Sequence, residues 1–502
     1  MSKKLPPEVE EGNIEYKRKL CGLTKYRNIQ LQSQMKWRIQ EGNGCAIYLI
    51  GVDDDGSIVK LNTKDRKESL RNIKKIAKNI DAFVENIEFK SNYYEITIKN
   101  NFKNIDFYEK RIVFLGESNV GKSTLISVMT KNISDDGNGS ARLALFNHKH
   151  EMFTGVTSSI SIQYFDYKDS SKVNTKEYKI VLIDLPGNKK YKKTKYFGLQ
   201  GLDPELVVYV IDNNTPLNKI KECINLTKFL KLPLLIVLNK VDLYDTSSIK
   251  RKIQNCDFIE TSCTQNFNIT ELQHKFIKDN INTSSNLDYE IDDSSSLLSQ
   301  ILLEDDIIFQ IYEVYHLTDL GLIVSGIQLA GEIKDKMKVK LGPLYTKNGP
   351  KFVDVNVTSI HSYEIPCNIL HTDHLGTMVI QFKDNEAQKE FTSKMPKSIY
   401  LCNYILPLYD HIKCQLTLTN HVTNLKVGQQ IQIFTRNLII ECILIDIENG
   451  KIIKKNETNI VTLRLAKQCY LRTLDKFIFD DGIIKGWGVI YKLTINSASG
   501  TG

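Results

Sequence analysis

The chain has 502 residues, 41% of them hydrophobic and 25% charged, and at about 100 to 200 residues per domain that length suggests about three or four domains. This composition excludes a single small module and global disorder, while the excess of 67 Lys plus Arg over 59 Asp plus Glu suits a polyanionic partner without requiring one. Ten cysteines spread from Cys21 to Cys469 with no C-x-x-C pair exclude a disulfide scaffold and fit a reducing cytosol.

The start, MSKKLPPEVEEGN, lacks the apolar core of a secretory signal. The longest apolar runs, 206–211 and 232–238, are strand-length and far below the ~18 residues of a membrane helix, so a soluble protein is expected. Residues 1–105 read as a small α+β segment. A polar helix lies around 26–40, a strand at 45–51, and a second helix over 69–87, where Leu70, Ile73, Ile76, Ile80 and Phe83 recur at spacings of three and four. A strand at 94–99 closes the segment. In residues 106–283 the short runs IVFL, KIVLID, LVVYVI and LLIVLN alternate with longer polar or amphipathic stretches, the pattern of an α/β domain whose parallel sheet is flanked by helices. Residues 284–306 read as a linker with a short helix at 297–303. From Ile307 onward, strands separated by Gly, Asn and Asp turns predict two antiparallel β-barrel domains, 307–396 and 397–495, before a disordered tail at 496–502.

The predicted strand 111–115 runs into Gly116, Glu117, Ser118, Asn119, Val120, Gly121, Lys122, Ser123 and Thr124, a complete G-x-x-x-x-G-K-S loop followed by a helical pattern. Glycines let such a loop fold into a nest of N–H groups around a β-phosphate. Lys122 then reaches the β- and γ-oxygens, and the Ser123 hydroxyl ligates Mg²⁺. A second strand, 179–183, delivers Asp184, Leu185, Pro186 and Gly187. There the carboxylate can hold a water on Mg²⁺ and the Gly187 N–H can bond a γ-phosphate, so the loop would distinguish GTP from GDP. A third strand ends in Asn239, Lys240, Val241 and Asp242, where a carboxylate accepts the N1 and N2 hydrogens of guanine and rejects adenine. Thr261, Ser262 and Cys263 follow a strand-like 258–260, and the backbone N–H groups of Ser262 and Cys263 are candidates for the last guanine contact.

With two β-domains trailing these motifs, the chain resembles the translational GTPases of the elongation factor Tu and eukaryotic elongation factor 1 alpha type. LPPEVEEGNIEYKRKL, QMKWRIQEGNGCAIYLIGVDDDG (34–56), SARLALFNHKHEMFTGVTSSIS (140–161), DLPGNKKYKKTKYFGL and FQIYEVYHLTDLGLIVSG (309–326) resemble more closely the GTP-binding protein 1 and 2 family. The resemblance implies a cytoplasmic, monomeric GTPase that docks on ribosomes in its GTP form. Aminoacyl-tRNA and the RNA-decay machinery are the implied classes of further partner, and no membrane is involved. It places the hydroxyl that ligates Mg²⁺ in the GTP state on Ser159, where elongation factors have threonine, and leaves Val156 where the family has arginine. His148 and His150 read as polar loop packing rather than metal ligands.

Three departures bear on chemistry. Asn188 stands where these factors carry the histidine that positions the attacking water, and an amide cannot carry the proton-linked charge of imidazole, so slow hydrolysis without the ribosome is expected. Asn119 stands where elongation factors have aspartate. It is shared with potassium-activated GTPases, so either K⁺ assists catalysis or Asn119 simply caps the loop. Asp480 takes the place of a basic residue of the third domain, with Asp481 beside it, which argues against phosphate contact there. Basic clusters at 189–195 and 451–455 are candidate RNA contacts, with solvated surface as the plainer reading. The alternative to a working GTPase is a hydrolysis-poor GTP-dependent adaptor that recruits an RNA-decay or signalling partner, with Asn188 the residue favouring it.

Overall fold

In the computed structural model the chain is described at residues 4–9, 12–42, 44–80, 82–100, 108–131, 134–137, 139–142, 159–168, 177–253, 256–277, 306–317, 321–347, 349–363, 365–384, 388–389, 391, 399–420, 424–448, 450–480 and 484–495. The expected linker up to residue 305 with its short helix, the tail at 496–502, and His148, His150, Val156 and Asp481 lie outside these residues. The chain divides into two compact units, Met1–Asp106 and Phe107–Gly502.

In the first unit β1 (Ile14–Lys17), α1 (Lys25–Glu41), β2 (Cys45–Ile50), α2 (Thr63–Asn79), β3 (Ala82–Lys90) and β4 (Tyr93–Asn100) follow in order, and the sheet runs β1-β2-β4-β3. Apolar faces of α1 (Leu31, Met35, Ile39) and α2 (Ile73, Ile76, Ala77) close on Ala46, Tyr48, Ile50, Ile96 and Ile98. The helix expected over 69–87 is shifted: α2 starts six residues earlier, where the Asn62 side chain caps it by accepting from the Asp65 N–H, and it stops at Asn79. Ile80 becomes its C-cap, and Phe83 sits 44% exposed on β3. The cause is a β3–β4 hairpin whose turn residues Ser91 and Asn92 both take positive φ (44° and 82°), drawing a strand-prone AFVENIEFK segment away from the helix.

In the second unit β5 (Tyr108–Leu115), β6 (Ser161–Lys168), β7 (Glu177–Asp184), β8 (Leu206–Ile211), β9 (Leu234–Asn239) and β10 (Phe258–Thr261) form a sheet of order β10-β9-β8-β5-β7-β6. Only β6 is antiparallel to its neighbour. Both faces are covered, as a parallel sheet requires. Ile112 and Phe114 of β5 pack on one face with α3 (Lys122–Lys131) and α7 (Ile269–Lys275). Val113 and Leu115 pack on the other with α4 (Lys192–Gly201), α5 (Leu217–Leu230) and α6 (Ser247–Ile253).

Two barrels follow. Strands Ile308–Leu317, Gly321–Ala330, Leu375–Phe382, Gly349–Ser362, Lys338–Thr346 and Ile399–Cys402 pair in that cyclic order, closing the first. Strands Tyr409–Asn420, Thr458–Cys469, Leu438–Ile447, Gln430–Thr435, Lys476–Asp480 and Lys485–Thr494 close the second. The expected α/β domain is thus followed by two six-stranded barrels, with the strand Ile399–Cys402 closing the first barrel although the expected boundary at 396/397 assigned it to the second. Closure leaves no free edge in either barrel.

The sheet and barrels share one core: Ile327 and Leu375 of the first barrel and Phe434 and Ile478 of the second belong to the cluster beneath α4 and α5. Polar joints flank it. Arg111, at the base of β5, donates to the carbonyls of Asp203 (2.7 Å) and Asp373 and pairs with Glu109. The Glu109 carboxylate accepts from the Leu375 N–H at 3.0 Å and from the Tyr363 hydroxyl. The barrels are joined by Asn437, whose Nδ2 donates to the Ile311 carbonyl at 3.0 Å.

Candidate nucleotide-binding site

The chemistry-bearing motifs collect where β5, β7, β9 and β10 end, at the carboxyl edge of the parallel sheet, which is where open α/β sheets bind ligands. Residues 116–121 turn from β5 into α3. Asn119 takes a left-handed conformation (φ 67°), which asparagine tolerates better than most residues, and Gly121 follows at φ 97°. A Cβ on Gly121 would lie 2.3 Å from Asn239 Nδ2, so the close approach of β9 to the loop requires glycine there. Lys122, 6% exposed, donates from Nζ to the carbonyls of Gly116 (3.1 Å) and Glu117 (2.9 Å), which hold its ammonium at the mouth of the loop. Burial pushes its pKa down, against the opposing pull of Asp184.

The Ser123 hydroxyl donates to Asp184 Oδ2. A hydroxyl and a carboxylate meeting at the start of α3 and the end of β7 make an all-oxygen pair of the kind Mg²⁺ takes alongside phosphate and water oxygens, so the residues fit that cation. Among the described residues no cluster of His, Cys, Asp and Glu competes as a metal site. Ser159 lies two residues before β6, whose Ser161 is registered opposite Asp184. Gly187 abuts the loop: a Cβ there would lie 2.6 Å from the Glu117 carbonyl carbon and 2.7 Å from the Ser118 nitrogen. Asn188 is exposed, and its Oδ1 accepts from the Lys190 N–H at 2.9 Å, capping a 3₁₀ turn at Lys189–Tyr191.

Asn239, 2% exposed, is a cross-strut. Its Nδ2 donates to the Val120 carbonyl at 3.0 Å, and its Oδ1 accepts from Thr261 Oγ1 at 3.2 Å and more weakly from Cys263 Sγ. Lys240 Nζ donates to the Asn119 carbonyl and pairs with Asp212 Oδ2 at 3.2 Å, so its aliphatic stem lies along the loop. Asp242 accepts from Thr264 Oγ1 at 3.1 Å. Burial would raise its pKa, but hydrogen bonds from Ser262 and Thr264 outweigh burial and keep the carboxylate below its usual range. The Ser262 N–H is engaged, donating to the Phe267 carbonyl at 3.3 Å, while Cys263 is buried with a thiol pushed up to about 12.

Sequence reading missed Asp212, Thr264 and Tyr196, the last of these a partner of Asp480. Asp212 directly follows β8 in IDNN, a strand-end acid that gave a signal; the others gave none. Asp480, 5% exposed, accepts from Tyr196 Oη at 2.8 Å and pairs with Lys192 at 3.2 Å, both on α4. Its acidity therefore serves a joint within the protein, and Lys192 of the basic cluster at 189–195 is spent on that joint. Gln200 and Gln310 add bonds at the C-terminal end of α4, to the carbonyls of Phe434 and Gly201.

Residues 109–337 match the Elongation factor Tu GTP binding domain family. GTP-binding protein 2 of Mus musculus is 28% identical over 96% of this chain and 87% of its own length. GTP-binding protein 1 of Xenopus laevis is 26% identical over 92% of this chain and 76% of its own. Among solved structures, the GTP-bound GTPase-like domain of S. cerevisiae Ski7 superposes with a TM-score of 0.57 at 18% identity, over 76% of this chain and 97% of that one. Translation elongation factor SelB from Methanococcus maripaludis, in complex with GppNHp, gives 0.55 at 16% identity over 78% and 81%. The chain is thus similar over nearly its whole length to GTP-binding proteins 2 and 1 and carries an elongation factor Tu-type GTP-binding domain, which makes it a translational GTPase that binds guanine nucleotide and hydrolyses GTP.

Proposed function

We propose that this GTPase works in the cytoplasm on the ribosome, its turnover slow alone and raised there, with tRNA or the RNA-decay machinery as the class of further partner. The observation that carries this reading is the docking of α4 on the second barrel through Tyr196, Lys192 and Asp480. That helix directly follows the Asp184–Gly187 turn, so the proposed γ-phosphate contact at Gly187 is wired to a large binding platform.

In this reading the loop N–H groups of 116–122 cradle the β-phosphate and Lys122 bridges to the γ-phosphate. Ser123, Ser159 and, through a water, Asp184 hold Mg²⁺, which when bound neutralises charge on the phosphates. Asp242 receives both guanine N–H donors, the Lys240 stem covers the base, and Asn239 keeps the two loops in register. With the Ser262 N–H turned to Phe267, the Cys263 N–H takes the guanine O6. Asn188 contributes little to orienting water, because its carbonyl caps the following turn and its amide has no titratable proton to exchange. Bound K⁺ beside Asn119 would supply the positive charge otherwise missing near the transferring phosphoryl group.

The test is GTP turnover by the full chain, alone and with ribosomes, in K⁺ and in Na⁺, with Lys122→Ala as the blank. A ribosome-dependent gain is expected, as is faster turnover in K⁺. Equal rates in the two salts would remove the K⁺ assignment, and nucleotide binding without turnover under every condition would replace the ribosomal enzyme by the adaptor. Asn188→His is expected to raise ribosome-stimulated turnover, and an unchanged rate would clear Asn188 of responsibility for slow hydrolysis.

A further inference from the structure

The helix α2 carries seven basic residues against two acidic ones in TKDRKESLRNIKKIAKN. Lys64, Lys67, Arg71, Lys74, Lys75 and Lys78 are exposed, and none of the six has an ion-pair partner among the described residues. At 3.6 residues per turn these six fall within an arc of about 100° and extend along about 21 Å of helix. The opposite face, Ser69, Ile73, Ile76 and Ala77, is buried in the core of the first unit. The acid nearest the stripe, Glu68, is turned aside to accept from the Gly22 N–H at 2.8 Å, and Asn72 donates to the Leu20 carbonyl at 2.8 Å. The stripe therefore rides on a helix fixed by packing and by side-chain bonds to the preceding loop.

From this placement we infer that the first unit binds the phosphate backbone of an RNA duplex along the exposed face of α2, without reading sequence. A linear row of unpaired cations spaced by one helical turn matches a linear row of phosphates, and release of counterions drives such binding. The exposed face carries no aromatic side chain on which unpaired bases could stack, which disfavours a single strand. It carries no apolar stripe for a bilayer, because the apolar side of α2 is spent on the core. Nor does it offer the apolar centre that a protein interface desolvates. The choice of RNA over DNA rests on the proposed ribosomal setting, whereas the duplex assignment stands on the helix alone.

The experiment is fluorescence anisotropy of the full chain with a labelled 20-base-pair RNA duplex across a salt series. Lys67→Gln/Arg71→Gln/Lys74→Gln/Lys78→Gln is compared with a charge-matched control, Lys334→Gln/Lys336→Gln/Lys338→Gln/Lys347→Gln, on exposed positions of the first barrel. The α2 variant is expected to reduce the slope of log affinity against log salt by about 3 to 4 and to weaken binding equally for unrelated duplex sequences. Its GTP turnover without RNA and its melting temperature should match wild type, so failure of the ribosomal reading and failure of this one are separable. Equal losses in the two variants, tighter binding of a 20-nucleotide single strand, or capture by phosphatidylserine vesicles without duplex binding would each overturn the duplex assignment. Tighter binding of a DNA duplex of the same length would overturn the choice of RNA.

Discussion

The hydroxyl of Tyr196 and the carboxylate of Asp480, 284 positions apart in sequence, meet at 2.8 Å and fasten α4 to the second barrel. Burial opposes ionisation of Asp480, but Lys485, Tyr196 and Lys192 outweigh it and hold its carboxyl below the usual range. Asp480→Asn removes the countercharge of Lys192 and Lys485 and Tyr196→Phe leaves a buried carboxylate oxygen without its donor, so each should lower stability by about 1–3 kcal/mol. A double-mutant cycle on melting temperature should return a coupling of about 0.5–3 kcal/mol. Strict additivity would mean that the two groups act independently.

At Gly187 the added methyl of Gly187→Ala would sit inside van der Waals contact of Glu117 and Ser118 backbone atoms. Neither segment is a flexible side chain, so the turn must move away from the loop. GTP turnover is expected to fall at least about tenfold, equivalent to ~1.4 kcal/mol of transition-state stabilisation. Affinity for GDP, which has no γ-phosphate to contact at this turn, should change much less; steady-state hydrolysis beside equilibrium GDP titration separates the two.

Substituting Asp242→Asn replaces an acceptor pair by one acceptor and one donor, and the amide then faces a guanine N–H. Loss of GTP affinity by about 10- to 100-fold is expected, the cost of one unpaired buried donor. Xanthosine triphosphate presents an acceptor where guanine presents its amino group, and should bind the variant better than GTP does. Competition between the two nucleotides against a fluorescent GDP analogue measures this directly.

Glu222 of α5 accepts from Lys219 at 2.7 Å and from Lys485 of the second barrel at 3.0 Å. Burial raises its pKa, but the two lysines outweigh burial and bring it to about 2. A carboxyl depressed by folding contributes stability above its unfolded pKa and loses that contribution as pH falls toward the folded value. Glu222→Gln should therefore lower the melting temperature at pH 7, and the difference from wild type should shrink as pH falls from about 4.5 toward 2. A difference independent of pH would show that packing, not charge, is lost.

Much of the candidate site's geometry was legible because its motifs are short, contiguous and placed at strand ends, where backbone geometry restricts residue choice. Asn119, Gly121 and Lys240 all take positive φ, and such positions leave a mark in sequence. Legibility failed where the structure is made over distance. Asp480 reads in sequence only as a misplaced acid, because its partners lie on a helix near residue 196. The extent of α2 was misread because Ile80 and Phe83 extend a helical spacing by coincidence while the Ser91–Asn92 turn commits the segment to a hairpin. Glu109 and Arg111 look like ordinary charges at a strand start, yet they anchor the first barrel.

The joints described above form a closed circuit. The P-loop strand β5 holds the first barrel at Glu109 and Arg111, the first barrel holds the second at Ile311 and Asn437, and the second holds α4 at Asp480. The helix α4 returns to the same sheet through its buried Tyr196 and Leu199. A linkage of this kind has no single hinge: displacement at one joint must be taken up at the others. Either the barrels travel together when α4 shifts, or all four joints loosen in concert, so damage at any one of them should register at the nucleotide.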